Sequence, residues 1–438
     1  LEYCGCRLAV LEASMAHKKI RVRWWIFVLM SSFAMMSYIQ RQSVAVAADH
    51  IMPALHLTQM QIAWLNASFT AAYAVAQLPG GLLGQRLGGR WTYVLVGVVG
   101  LLATLATPVL PMLLAGGTLF IGLLVSQATL GLSQGPVFPV FAVVAEKWFP
   151  PRRWALVNGA VSSFMNLGGA ITPVFIVLLT EHFGWQGALL WVGAPVCLLT
   201  LFWAWYGRDT PREHPSVTAD ERAEVIEDSR RPPPMTLRRL AGIIGNRDIA
   251  LLTVSYCAMN YAFYLISFWS FLYLVQVRHF SGLESGLVGA LPWVGAGIGA
   301  GIGGGLADWL AERFGVRWGY RLVPMLSLPA AGLLLLLTTH VATPYAAVAA
   351  LSFAFLAVEL NEGPYWAAAM RVARVDTGAA TGVLNTGANL GGLISQPIVG
   401  LLSGAGLWSG AFLSGAVFAI LAGAAWLWID TDRPKTLL

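Results

Sequence analysis

An all-α membrane protein, with twelve transmembrane helices in two pseudo-symmetric six-helix bundles, is the fold class that this 438-residue sequence predicts. Three observations carry it: a composition too apolar for water, about twelve span-length hydrophobic windows, and an internal duplication. Hydrophobic residues make up 57% of the chain and charged residues 11%, against roughly 25% charge in a soluble domain. Windows of about 20 largely apolar residues, enough to cross a hydrocarbon core, fall near residues 24–47, 61–83, 92–112, 115–145, 154–180 and 185–206. Six more fall near 248–275, 283–306, 322–340, 344–369, 378–403 and 407–429. These windows are spans one to twelve.

The duplication sets six spans in each half. Asn166-Leu167-Gly168-Gly169-Ala170-Ile171-Thr172 returns as Asn389-Leu390-Gly391-Gly392-Leu393-Ile394-Ser395, displaced by 223 positions. The same displacement lays Gly159 on Gly382, Tyr38 on Tyr261, and Gly84-Gln85-Arg86 on Ala307-Asp308-Trp309. A displacement of 228 lays Gln134-Gly135-Pro136-Val137-Phe138 over Glu362-Gly363-Pro364-Tyr365-Trp366, as a small loop insertion requires. Two homologous halves in an apolar chain predict a transporter, because alternating access uses two bundles that rock about a shared midplane site.

Five segments follow in order. Residues 1–22 form a basic N-terminus, in which residues 1–14, ahead of Met15, read as an over-extended start. Residues 23–207 are the N-terminal bundle and 248–430 the C-terminal bundle, with a tail over 431–438. Between the bundles, residues 208–247 carry Asp220-Glu221-Arg222-Ala223-Glu224 and Arg230-Arg231-Pro232-Pro233-Pro234. That mixed charge predicts a short amphipathic helix and a linker with a solvated face.

The net charge of +6 is explained by topology rather than by nucleic acid. Lys18, Lys19, Arg21, Arg23, Arg86, Arg90, Lys147, Arg152, Arg153, Arg313, Arg317, Arg371 and Arg374 fall on one set of alternate loops, whereas the opposite set is nearly free of basic residues except Arg278. By the positive-inside rule, both termini and the central loop are cytoplasmic. The expected setting is the bacterial inner membrane, with lipid as a partner and a monomer as the working unit. All seven histidines fall in loops or at span ends, so neither a metal cluster nor a cofactor is expected.

The loop between spans two and three reads Gly81-Leu82-Leu83-Gly84-Gln85-Arg86-Leu87-Gly88-Gly89-Arg90. It resembles the Gly-x-x-x-Asp-Arg-x-Gly-x-Arg loop of the major facilitator superfamily, with Gln85 in place of the aspartate. The repeat copy, Gly304-Gly305-Leu306-Ala307-Asp308, retains its acid. Gly81, Gln85, Arg86, Arg90 and Asp308 are therefore expected to form a cytoplasmic gating loop, its glycines permitting close helix approach.

Three further stretches resemble the anion:cation symporter group of that superfamily: Tyr38-Ile39-Gln40-Arg41, Glu146-Lys147-Trp148-Phe149-Pro150-Pro151-Arg152-Arg153, and Gly363-Pro364-Tyr365-Trp366-Ala367. The resemblance in layout runs from about Arg23 to about Asp430. It implies import of a small organic anion, and it assigns substrate binding to Arg41. A guanidinium inside a span costs at least a few kcal/mol, and its planar fork suits a carboxylate. Tyr38 lies one turn earlier on the same face. The competing reading has Arg41 snorkelling to the outer interface.

Bacterial sugar-acid symporters of the group carry an aspartate just before that arginine and a glutamate in span four; here Gln40 and Gln134 stand there, and neither titrates. Gln127 falls where many relatives hold a second arginine. An acid appears instead at the symmetry-related place, where Glu362 is the repeat image of Gln134 and Glu359 lies one turn before it. Low dielectric disfavours the carboxylate anion, so both are candidate proton carriers. A structural pair with Arg41 and a contact to a substrate amine remain alternatives. Further lining candidates are Tyr73, Gln77, Gln134, Phe138, Asn166, Asn260, Tyr261, Tyr264, Trp366, Asn385 and Asn389.

The resulting expectation is a secondary transporter that brings in a small organic anion with possible H+ coupling, with a zwitterion carrier or uncoupled anion exchanger as the alternative. A drug/proton antiporter fits less well, because its span-five signature puts Gly-Pro before the paired glycines, whereas Asn166-Leu167 precede them here. A polytopic enzyme would need convergent catalytic groups near an interface, and the sequence offers no such set.

Overall fold

The computed structural model describes residues 21–149, 154–223, 236–373 and 377–431. Among these residues the structure is helical, and nine helical segments are long and apolar enough to cross a membrane by length and composition. One of the nine, residues 160–206, doubles back at Gly184, whose φ of 70° breaks the helix between spans five and six. Spans two and three are likewise joined through Gly88, at φ 81°, inside the segment Gln59–Leu113. Glycine reaches this left-handed region without the clash that a side chain would bring.

Span one is Val22–Leu55 and ends at His56 in a left-handed cap. Span two opens with a capping box in which Thr58 Oγ1 accepts from Gln61 N at 3.2 Å and Gln61 Oε1 accepts from Thr58 N at 2.8 Å, satisfying two donors that a helix start leaves free. Span seven, Arg247–Gln276, is capped by Asn246, whose Oδ1 accepts from Asp248 N and Ile249 N. Span eight is Gly282–Phe314, span nine Val316–His340, span eleven Thr377–Gly404 and span twelve Trp408–Ala425.

Spans four and ten are each interrupted beside the duplicated motif. Span four breaks between Gly116–Gln134 and Val137–Trp148, and span ten between Pro344–Glu359 and Glu362–Ala373. In span ten, Asn361 Nδ2 donates to the carbonyls of Ala357 and Val358 and to Ser327 Oγ, which supplies partners for backbone groups at the break. Discontinuous helices in corresponding places of two repeats are a transporter device for bringing polar groups to the midplane.

Close packing follows the glycines. A Cβ on Gly295, Gly299 or Gly303 would run into the carbonyls of Ser352, Leu356 and Leu360 in turn, so span eight lies backbone to backbone against span ten. Repeat mates behave alike: Gly168 abuts the Met35 carbonyl of span one, and Gly391 abuts the Cys257 carbonyl of span seven.

The central segment keeps an exposed face and also packs a few side chains inward, which its composition does not predict. Its described part, residues 208–223, is packed onto the N-terminal bundle. Glu221 accepts from Val22 N, Arg23 N and Arg23 Nε, the last at 3.0 Å, and both side chains are almost fully enclosed. Val217 joins the bundle's core, and His214 lies edge-on between Trp148 and Tyr206. Of the segment's described charges only Glu221 is buried in this way; Arg212, Glu213 and Arg222 are exposed, as a solvated face requires. Further along, Thr236 caps the expected amphipathic helix, Leu237–Ile244, which buries Ile243. Arg152, Arg153, Arg230, Arg231, Arg374, residues 1–20 and residues 432–438 lie outside the described residues.

Candidate functional site

Arg41 is the centre of the site. It lies in the middle third of span one and is 4% exposed. Its guanidinium carbon stands 4.4 Å from the ring centroid of Tyr38, 4.7 Å from that of Tyr73 and 4.8 Å from that of Phe69. Its Nε and one terminal nitrogen are buried with no hydrogen-bond partner. Three ring faces attract the cation, but they do not replace an acceptor for its N–H groups. The enclosure rules out snorkelling to a water interface in this conformation.

Tyr38, expected one turn from Arg41, and Tyr73, expected only as a lining residue, both meet the guanidinium, while Phe69 was missed. The available signal was its place one turn before Tyr73, where i and i+4 share a helix face; the two rings stack at 5.9 Å. Trp293 of span eight was also missed, and it packs edge-on against Tyr38 at 5.8 Å. A Cβ on Gly169 would strike the Trp293 ring, so the duplicated Gly-Gly pair makes room for that indole.

Across from this cluster, span ten presents its two acids differently. Glu362 is held: Tyr256 Oη donates to its two oxygens at 2.8 and 2.9 Å, and Trp366 Nε1 donates at 2.9 Å. Glu359 is 1% exposed, and neither carboxyl oxygen makes a well-formed hydrogen bond, although the Asn166 amide stands close enough to act on it. Asn166 of span five, 2% exposed, likewise makes no well-formed side-chain hydrogen bond. Among the described residues neither acid is ion-paired with Arg41.

The remaining candidates divide into those that bridge the halves and those that do not. Asn385 donates to Gln77 at 2.7 Å from span eleven to span two, and a second bridge that the sequence did not suggest runs from Gln42 of span one to Ser267 of span seven at 2.6 Å. Tyr264 Oη donates to Asn389 Oδ1 at 2.9 Å, and Asn389 donates back to the Asn385 carbonyl. Gln134 is turned into its own half, donating to Gln40 at 3.3 Å, and Gln127 reaches Thr107 at 3.4 Å. Tyr261 is also turned away: its ring stacks on Phe418 at 4.1 Å and its hydroxyl meets Ser414 at 2.8 Å, both in span twelve. Asn260 donates to the carbonyl of Tyr256 on its own helix, and Phe138 is partly buried between the two hydrophobic clusters.

The described contacts close the site on both sides. Toward the outer end, Gln59 donates to Gln276 at 2.7 Å, Gly400 abuts Ala63, and Gly286 abuts the backbone of Pro173 and Val174. Toward the inner end stands the Gln77–Asn385 bond. In the loop between spans two and three, Arg90 N donates to Asp209 Oδ1 at 2.7 Å and its guanidinium donates to the Ala204 carbonyl. Gly81 lies against Pro139, Arg86 is exposed, and Asp308 accepts from Tyr320 Oη at 2.7 Å. These polar contacts stay within each half; the Gln85 side chain lies outside the described residues.

Comparison with known proteins gives a consistent set of matches. The model described as "Major Facilitator Superfamily" matches residues 30–377. The chain is 29% identical over 393 residues to the probable sulfoacetate transporter SauU of Cupriavidus necator, covering 88% of each chain. It is 25% identical over 394 residues to the hexuronate transporter of Bacillus subtilis, covering 89% of this chain and 90% of that one. It is 22% identical over 433 residues to the probable galactarate/D-glucarate transporter GudP of Escherichia coli, covering 96% of each. Among solved structures, a bacterial homolog of the human lysosomal transporter Spinster, inward-facing and occupied, matches with a TM-score of 0.72 at 17% identity, over 94% of this chain and 97% of that one. This last likeness bears on fold alone.

Proposed function

The chain belongs to the Major Facilitator Superfamily and is a multi-pass membrane transporter rather than an enzyme, and on that premise we propose that it imports a small organic anion, a carboxylate, across the bacterial inner membrane as a monomer. The observation that carries this reading is the Arg41 guanidinium, enclosed by three aromatic rings with two nitrogens left without acceptors. A buried cation in that condition is costly, and a carboxylate offers the two-pronged acceptor that fits it. The similar proteins named for sulfoacetate, hexuronate and galactarate or D-glucarate share an organic acid as cargo. The bound anion offsets the charge of Arg41 and lets the loaded carrier reorient, while a bare Arg41 disfavours closure.

Proton coupling is assigned to span ten, with Glu359 as the carrier of the proton and Glu362 as its fixed neighbour. An ionised carboxyl buried with no donor but a loosely placed amide, here Asn166, is disfavoured. Glu359 is therefore stable as a neutral acid or beside a cation. The second reading, a zwitterion carrier, draws on the same residue, since a substrate amine is such a cation. Arg90 and Asp308 serve the inner gate, and both termini are cytoplasmic.

Thermal-shift screening of carboxylates, sulfonates and amino acids on the purified protein, followed by uptake of the best ligand, tests the proposal. Arg41→Lys keeps the charge but loses the fork, and it is expected to weaken binding almost as much as Arg41→Ala, by about 2–5 kcal/mol. Affinity of the lysine variant within about threefold of the parent, less than ~1 kcal/mol, would remove Arg41 as the anion anchor.

A further inference from the structure

At one end of the C-terminal bundle, away from the central site, spans seven, nine and twelve enclose a cleft of about 280 Å³ lined by Arg247, Asp248, Arg317, Arg321, Trp428 and Asp430. Its size is close to the lower end of small-ligand sites, roughly 300–1,000 Å³. Arg321 is 4% exposed and is anchored by bonds from Nε and a terminal nitrogen to the Ile429 carbonyl. Asp248 Oδ1 accepts from Asp430 N at 3.0 Å, which ties the end of span twelve to the start of span seven. Arg247 and Arg317 are both exposed in the first turns of their helices. Trp428 beside them is 57% exposed, and Trp318, whose ring lies 5.9 Å from the Arg321 guanidinium carbon, is 49% exposed.

We propose that this cleft binds the phosphodiester headgroup of an anionic phospholipid. Three arginines against two aspartates leave one excess positive charge, which matches a monoanionic phosphodiester better than a phosphate dianion. Arg247 and Arg317 supply the forked donors that suit phosphate oxygens, and Arg321 fixes the cleft's shape. The exposed indoles belong at the headgroup level, where tryptophan is enriched, and leave the acyl chains free to run along the bundle surface. Basic pockets between spans on the cytoplasmic side are a recurrent way of holding anionic lipid. The site rests on the same charge asymmetry that orients the chain and is independent of Arg41.

Native mass spectrometry and thermal shift of the full chain in neutral detergent test this, with phosphatidylglycerol, phosphatidylcholine and inorganic phosphate as the three probes. Phosphatidylglycerol is expected to be retained and to raise the melting temperature, with little effect from the other two. Arg247→Gln with Arg317→Gln should weaken phosphatidylglycerol retention by about tenfold or more, while Arg238→Gln, in the exposed amphipathic helix, leaves it unchanged. Arg317→Gln alone, with a smaller loss, serves if the double variant fails to fold. Equal retention by the parent and the cleft variants overturns the proposal. An equal shift from inorganic phosphate alone overturns the lipid as occupant and makes the site one for a soluble anion.

Discussion

Gln134 in span four donates its amide to the side-chain oxygen of Gln40 in span one at 3.3 Å, and Gln40 donates onward to Thr104 Oγ1 at 2.8 Å and to the Gly100 carbonyl at 3.2 Å. Both glutamines are buried. The chain needs donors along its length, whereas an ionised carboxylate only accepts. In the N-terminal half these two places are therefore joined in a fixed amide relay.

Gln40→Glu should consequently lower stability by about 1–3 kcal/mol, because it sets an acceptor against the Thr104 and Gly100 oxygens. Gln134→Glu should be milder, since Gln134 Oε1 already lacks a partner and a protonated carboxyl can donate to Gln40. That second variant adds a titratable group and should introduce a new inflection in the uptake–pH profile. Melting temperature and uptake measured across pH check both; equal behaviour of the two variants contradicts the relay.

The two acids of span ten should separate in function. Glu359→Gln is expected to abolish accumulation driven by a pH gradient while leaving counterflow exchange largely intact, because exchange does not need the empty carrier to return. Glu362→Gln should do less to coupling than Glu359→Gln, and Tyr256→Phe, which removes a donor from Glu362, should resemble it. Loss of binding together with exchange in Glu359→Gln would move the protein to the zwitterion reading. Accumulation retained in Glu359→Gln but lost in Glu362→Gln would return the coupling role to the repeat image of Gln134.

Helix contact in the C-terminal half should be sensitive to single methyl groups. A Cβ on Gly299 would meet the Leu356 carbonyl, whereas one on Gly301 meets nothing within 4 Å. Gly299→Ala should cost about 1–3 kcal/mol by overpacking and should displace the segment that carries Glu359. Gly301→Ala should be neutral or stabilising by up to about 1 kcal/mol. Thermal inactivation in detergent distinguishes them.

How much of this was legible beforehand depends on the kind of signal. The duplication, the spans and the Tyr38–Arg41 neighbourhood were readable because a charge inside a span and a fixed repeat offset leave few alternatives. Phe69 and Trp293 were not, since an aromatic residue in an apolar helix has the same local pattern whether it faces a guanidinium or a neighbour's backbone. Tyr261 was assigned to the cavity by its repeat relation to Tyr38, but Ser414 and Phe418 hold it against span twelve; residues three apart on a helix differ in direction by about 60°, enough to turn it from Tyr264's neighbour. That Glu362 is held by Tyr256 and Trp366 while Glu359 is not was also out of reach, because sequence spacing does not reveal tertiary partners. In the central loop, mixed charge marked the exposed face, but composition does not record that Glu221 alone turns inward to meet Arg23 across the fold.

That last contact yields a prediction with a pH sign. Glu221 takes two backbone N–H groups and the Arg23 Nε in a buried setting, so Glu221→Gln should destabilise the N-terminal bundle by about 3–5 kcal/mol, as expected when one partner of a buried pair is lost. His214 packs beside it, and burial, followed by the Arg208 charge, holds its imidazole below the ordinary histidine value, with Glu221 partly opposing. The unfolded chain therefore binds more protons at this site than the folded one. Its contribution is full above about pH 6.5 and is lost as pH falls through the lower folded value. Melting temperatures of the parent should drop between about pH 7 and pH 5 more steeply than those of His214→Gln, which has no proton to take up. Parallel curves for the two proteins would show that the docked segment does not sense pH through His214.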